Sequence, residues 1–157
     1  MKVKIKKLHQ NAIIPTYATD GSACFDLHAI DVGGVSSHGS AYLRTLGANK
    51  VFHTGLSFEI PTGFVMLIFS RSGHGFNFDT RLSNCVGVID SDYRGEVLVK
   101  LRRDIWVQDR MLETLVIKNG DRIAQAMIIP IPKIELVESD ELTDTSRGNG
   151  GFGSTGD

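Results

Sequence analysis

The stretch SRSG, residues 70–73, directly follows the apolar run FVMLIF. It brings a cation, a hydroxyl and an unencumbered backbone N–H to one spot, which are the ingredients of a phosphate cradle. A second stretch, GVIDSDYRGEVLVKL (87–101), sets two strand-like arms around SDYRG and reads as a β-hairpin or a tight β-arch. Asp90 emerges at the end of the first arm in a partly desolvated place, where a carboxylate polarises a water as general base. Turn formation is the competing account of Asp90 and Asp92, and it suffices for Asp92. Tyr93 is either a core ring or a stacking platform beside the turn. In GDRIAQ (120–125), Asp121 and Arg122 need be no more than a turn. Gln125 lies two residues after Ile123 and so faces the same side; a glutamine there needs a partner for its amide. Asp26, between Phe25 and Leu27 in ATDGSACFDLHA (18–29), reads first as a turn cap bonded to backbone.

The chain finishes on RGNGGFGSTGD (147–157), in which five of eleven residues are glycine. Glycine-rich ends are usually solvated and frayed. The sharper reading is a lid: glycines expose N–H groups to an anion, Arg147 offers a guanidinium fork, and Phe152 lays its ring on something flat. The tail alone does not choose between the two.

The elements that must position these groups are strands. KVKIK (2–6), LSFEI (56–60), FVMLIFS (64–70), NCVGVID (84–90), EVLVKL (96–101), LETLVIK (112–118), RIAQAMIIPI (122–131) and KIELVE (133–138) carry strand patterns. IPTG (60–63) and KNGD (118–121) read as turns between them. Pro130 and Pro132 bracket the end of an apolar strand. At most one short helix fits, between Ser72 and Asn84, so the count favours an all-β sandwich or barrel. With 157 residues, 41% of them hydrophobic, the chain builds one domain over 1–146 followed by the tail, 147–157. A net charge of −1 excludes a long nucleic-acid track or an anionic membrane surface as partner. No apolar run approaches a membrane span, and MKVKIKKLHQ lacks a signal-peptide core. Cys24 and Cys85 form no disulfide framework or zinc spacing, so a reducing, cytoplasmic setting is expected.

Taken in order, ACFDLHA, SRSG, GVIDSDYRG, GDRIAQ and RGNGGFGSTG resemble the five motifs of the trimeric dUTPases, from about residue 18 to the end. The resemblance implies a jelly-roll-like distorted β-barrel and a homotrimer whose active sites draw motifs from all three chains. It implies hydrolysis of dUTP to dUMP and pyrophosphate, which limits uracil in DNA and supplies dUMP for thymidylate synthesis. By resemblance, Asp90 activates the water that attacks the α-phosphorus, and Tyr93 packs on the deoxyribose to reject a 2′-hydroxyl. Asn84, Gly87, Val88, Ile89 and Leu98 line a uracil pocket too tight for thymine's methyl. Arg71, Ser72, Gly73 and Gln125 contact phosphates, with Asp121 as the partner of Arg71. Asp26 holds water around a Mg²⁺ that the triphosphate chelates. In the tail, Arg147 reaches the γ-phosphate, Phe152 stacks on uracil, and Gly153, Ser154 and Thr155 wrap the phosphates.

The chain departs from the family pattern in three places. Cys24 stands where glycine is usual and is strained only if that position has positive φ. Ser70 replaces a usual proline, which loosens the entry to Arg71. Residues 102–113 are longer than expected and carry Trp106, either as a surface loop or as a partner-binding insert. Two rival readings are a dCTP deaminase of the same fold and a dUTP-gated regulatory protein using that insert. The deaminase family carries a catalytic glutamate where this chain has Lys100, which cannot shuttle the proton.

Overall fold

Short alternating apolar segments separated by turn residues fold here into antiparallel strands. The structure, a computed structural model, describes residues 1–31, 49–104 and 115–151, and the backbone of 40–43. In chain order the strands are β1 (Lys4–Lys7), β2 (Phe25–His28), β3 (Ser40–Leu43), β4 (Asn49–His53), β5 (Leu56–Glu59) and β6 (Phe64–Phe69). A single described helix, α1 (Ser72–Phe78), comes next. After it run β7 (Thr80–Leu82), β8 (Val86–Ile89), β9 (Leu98–Arg103), β10 (Leu115–Lys118) and β11 (Arg122–Pro130).

Four antiparallel sheets result, ordered β1-β5, β10-β3, β2-β11-β6-β8 and β4-β9-β7. This is the expected all-β, jelly-roll-like distorted barrel, and the short helix falls inside the expected window. Strand β6 reads as a continuous apolar run because it is flanked by β11 and β8 and buries Val65, Met66 and Ile68. Strand β9 alternates instead: Val99 and Leu101 point into the core, while Leu98 and Lys100 face out. The core between the sheets includes Leu27, Leu56, Phe58, Met66, Val97, Leu101 and Ile123, each essentially buried. Burying each such side chain contributes about 1.5–3 kcal/mol against the entropy of ordering the chain. The turns at IPTG and KNGD form as expected, with Gly63 at φ +84° and Gly120 at φ +86°.

Two sequence expectations change, and one open reading is decided. ACFDLHA supplies a strand and not merely a turn, since Asp26 sits mid-strand on β2 between buried Phe25 and Leu27. KIELVE forms no strand: residues 131–142 are fully exposed, with Ile134, Leu136, Val137 and Leu142 in solvent. Strand patterning there finds no sheet edge among the described residues to pair with. The segment around SDYRG is an arch and not a hairpin, because β8 pairs with β6 while β9 pairs with β4 and β7.

Candidate functional site

The arch creates the first cavity. Since β8 and β9 belong to different sheets, their facing edges stand apart and leave a cavity of about 300 Å³. Ile68, Leu82, Asn84, Gly87, Val88 and Leu98 are among its lining residues. The Ser83 N–H donates to the Lys100 carbonyl at 2.9 Å and ties the two arms together at one end. Cys85, at φ +63°, turns the chain sharply from β7 into β8, with Cys85 N–H donating to Leu82 O and Val86 N–H to Asn84 O. A non-glycine residue in that region costs roughly 1–2 kcal/mol, a strain placed beside Asn84. Gly87 is required by close packing, because a Cβ there would lie 3.1 Å from the Cβ of Ile68 on the paired strand β6. The walls are thus largely backbone and apolar side chain, suited to a flat ring that hydrogen-bonds to main-chain groups.

Beyond Ile89, the connection from β8 to β9 carries Asp90 and Tyr93. Asp90 is exposed within the chain, in contrast to the partly desolvated place expected of it. Its carbonyl accepts from the Tyr93 N–H at 3.2 Å. The Tyr93 ring closes over Gly95, and its hydroxyl donates to the Glu96 carbonyl at 3.0 Å. Tyr93, 44% exposed, is therefore not a core ring. Glu96 braces the arch: one carboxylate oxygen accepts from the Gly55 N–H at 2.7 Å and the other meets His53 Nδ1 at 3.0 Å. The Val97 N–H donates to Leu56 O, and the Thr54 hydroxyl to Val97 O.

A second cavity, of about 320 Å³, is lined by Ala18, Ser22, Cys24, Asp26, Arg71, Ser72 and Gln125 among others. Sheet register assembles it. Gln125 on β11 pairs with Asp26 on one side and with Phe69 on the other, so residues of three motifs meet there. A bulge between Arg122 and Ala124 breaks the alternation that would align Gln125 with Ile123, and Ile123 and Ala124 are both buried. The Gln125 amide finds its partner in the Ser70 carbonyl at 2.9 Å. Arg71 Nε reaches Asp26 Oδ1 at 3.3 Å, and Arg122 Nη1 reaches Asp26 Oδ2 at 3.2 Å. Two guanidinium groups thus converge on one largely shielded carboxylate, an arrangement whose cations an incoming polyanion can share. Ser72 and Gly73 open α1, where the first N–H groups have no intrahelical partner. Burial, reinforced by the neighbouring Asp26, pushes the Cys24 thiol pKa up, so the thiol is held protonated.

The structure corrects several sequence-based expectations. Arg71 takes Asp26 as its carboxylate partner within the chain, whereas Asp121 accepts from the Lys118 N–H at 2.7 Å and shapes the turn. Arg122, read as a turn residue, belongs to the charged cluster. Only cross-strand register reveals this, because Asp26 and Arg122 lie 96 positions apart. Cys24 is not among the described residues with positive φ, so replacing glycine there stores no backbone strain. Ser70 does not loosen its surroundings, since its hydroxyl accepts from the Leu82 N–H at 2.9 Å. Lys100 lines the first cavity where a deaminase would need a carboxylate. Arg147 bonds to the Gly150 carbonyl at 3.0 Å in a turn of its own and lines neither cavity. Phe152, Gly153, Ser154 and Thr155, and residues 105–113 of the insert with Trp106, lie outside the described residues. No described helix is long and apolar enough to cross a membrane.

Comparison with known proteins agrees with this architecture. A family model described as dUTPase matches residues 10–156. The deoxyuridine 5'-triphosphate nucleotidohydrolase of Nautilia profundicola is 45% identical over 156 residues, covering 99% of each chain. That of Helicobacter pylori (strain ATCC 700392 / 26695) is 40% identical over 156 residues, covering 99% of this chain and 97% of the relative. Among solved structures, the Staphylococcus bacteriophage 80alpha dUTPase with dUPNHPP superimposes with a TM-score of 0.82 at 26% identity, over 99% of this chain and 98% of that one. Two cavities lined by residues of the first four motifs, on a fold and sequence shared with these proteins, lead to one conclusion: the chain belongs to the dUTPase family.

Proposed function

We propose that this protein hydrolyses dUTP to dUMP and pyrophosphate by attack of water on the α-phosphorus. The observation that carries this reading is the arch: a ring-sized gap lined by Ile89 and Leu98, the chain between which carries a carboxylate, Asp90, and an exposed ring, Tyr93. Uracil enters between β8 and β9, where Asn84 and the backbone from Gly87 to Ile89, opposite Leu98, read its edge. The Tyr93 ring, fixed by its bond to Glu96, takes the deoxyribose face and leaves no room for a 2′-hydroxyl. Asp90 accepts the proton of the attacking water, the step that sets its oxygen in line with the leaving pyrophosphate.

The triphosphate lies against the second cavity. Arg71, Ser72, Gly73 and Gln125 hold its oxygens, and Arg71 exchanges part of its contact with Asp26 for phosphate. Mg²⁺ neutralises charge on the phosphates when bound. Among the described residues no three His, Cys, Asp or Glu side chains cluster into a cage. Asp26, one carboxylate at the cavity wall, fits an ion that arrives on the triphosphate and is held through water.

The assembly that goes with this reading is a homotrimer with shared sites. The two cavities share no lining residue. The arm 131–142 exposes apolar side chains that none of the described residues covers. A neighbouring subunit supplies both the missing half of each site and a surface for the arm. The tail from Arg147 onward, with Phe152 on uracil and Gly153, Ser154 and Thr155 around the phosphates, closes the site and opens to release product. Assembly and closure also withdraw Asp90 from solvent.

The deciding experiment incubates the protein with Mg²⁺ and dUTP, dCTP or UTP separately and resolves nucleotides, pyrophosphate and ammonia. The expected outcome is dUMP and pyrophosphate from dUTP alone. Ammonia from dCTP would establish the deaminase instead, and tight dUTP binding without turnover would establish a regulatory protein.

A further inference from the structure

We infer that the Ser70 hydroxyl is a positioning group for the base cavity, an inference that rests on the reading of that cavity as the uracil site. Ser70 lies just past the end of β6, immediately before Arg71. Its Oγ accepts the Leu82 N–H at 2.9 Å. Leu82 is the last residue of β7 and begins the wall Leu82–Ser83–Asn84, which turns through Cys85 into β8. The Leu82 carbonyl in turn accepts the Cys85 N–H at 3.2 Å and Arg81 Nη1 at 3.0 Å. Ser70 therefore fixes the first residue of the wall, and the turn that aims Asn84 hangs from that residue. On the opposite side, Ile68, two residues before Ser70, packs under Gly87. One short span, 68–70, thus sets the spacing between the floor and the wall of the cavity.

The role is one-sided, and this makes it testable. The link from Ser70 to the phosphate cavity uses its backbone carbonyl, which accepts from the Gln125 amide whatever side chain is present. The link to the base cavity uses the hydroxyl. Alanine removes the second link and leaves the first. It also leaves the part-buried Leu82 N–H without its acceptor, and a lost hydrogen bond of this kind is felt locally.

The test titrates the full-length protein calorimetrically with dUMP and, separately, with tripolyphosphate and Mg²⁺, alongside kcat and KM for dUTP and thermal unfolding. Ser70→Ala should weaken dUMP binding by about five- to tenfold and raise KM by a similar factor. Tripolyphosphate binding should hold while the orphaned Leu82 N–H lowers the unfolding temperature by a few degrees, and Ser70→Thr should restore both dUMP binding and the unfolding temperature. Unchanged dUMP affinity in Ser70→Ala would overturn the inference. So would an equal loss for both ligands, which would mark a merely structural residue. Asn84→Ala separates the two levels of the argument. If it leaves dUMP binding intact, the base-site reading fails and takes the inference with it. If it weakens dUMP binding while Ser70→Ala does not, the inference alone fails.

Discussion

The two cavities are built on opposite principles. The one between β8 and β9 exists because two strands that follow each other in sequence join different sheets, leaving a gap walled by backbone and apolar atoms. The one around Asp26 exists because β2, β11 and β6 stay in register and stack charged side chains beside one another. In the proposed function, selectivity for a base is then written in strand connectivity, which tolerates side-chain changes as long as the gap keeps its width, and affinity for phosphate in particular side chains, which the sheet merely delivers.

This contrast can be broken by substitution, and the largest effect is expected where the cavities must cooperate. Asp90→Asn keeps the arch and its turn but removes the base, so kcat for dUTP should fall by about 10²–10⁴-fold while dUTP binding persists. Near-normal turnover in that variant would falsify Asp90 as the general base. Arg71→Ala addresses the side-chain cavity alone. It should weaken tripolyphosphate binding by about tenfold or more and spare deoxyuridine. Arg71→Lys should recover only part of the loss, since an ammonium cannot reproduce the fork. Equal loss of both ligands would show that the cavities are not separable.

Gly87→Ala tests the backbone cavity. Its new methyl would press on Ile68 at 3.1 Å, so the gap must shift and KM for dUTP should rise about fivefold, with tripolyphosphate binding unchanged. Full tolerance of alanine would mean that the gap adjusts and that its width is not set by this contact.

The smallest effect concerns stability. His74, buried in α1 with its Nδ1 unpartnered, has its pKa lowered first by burial and then by the nearby Arg71. The folded state thus binds that proton less readily than the unfolded chain, and its contribution is complete above the ordinary histidine value near pH 6.5. The contribution is lost as pH falls below that value towards the lowered folded one. His74→Gln should flatten the pH dependence of the unfolding temperature in that window; an unchanged slope would assign it to His28, also lowered by burial.

Local chemistry made much of this protein legible in the sequence. The runs FVMLIF and EVLVKL, and the glycines at 63 and 120, encode strands and turns through nearest-neighbour rules of alternation and backbone freedom. The five motifs in order identified the family, because several short patterns in series are far more specific than any one of them. What the sequence could not assign was pairing. Asp26 looked like a turn cap and Arg122 like a turn residue, yet sheet register sets them 3.2 Å apart across 96 positions of chain. KIELVE alternates as a strand should, and it still pairs with no edge among the described residues. SDYRG could close a hairpin or an arch, and only the assignment of β8 and β9 to different sheets decided in favour of the arch, and with it the cavity. The sequence by itself determined the residues of the chemistry and the local form of most elements, since both depend on neighbours a few positions away. The tertiary structure alone decided which residues meet, because backbone hydrogen bonds between strands join distant segments in ways that no local pattern specifies.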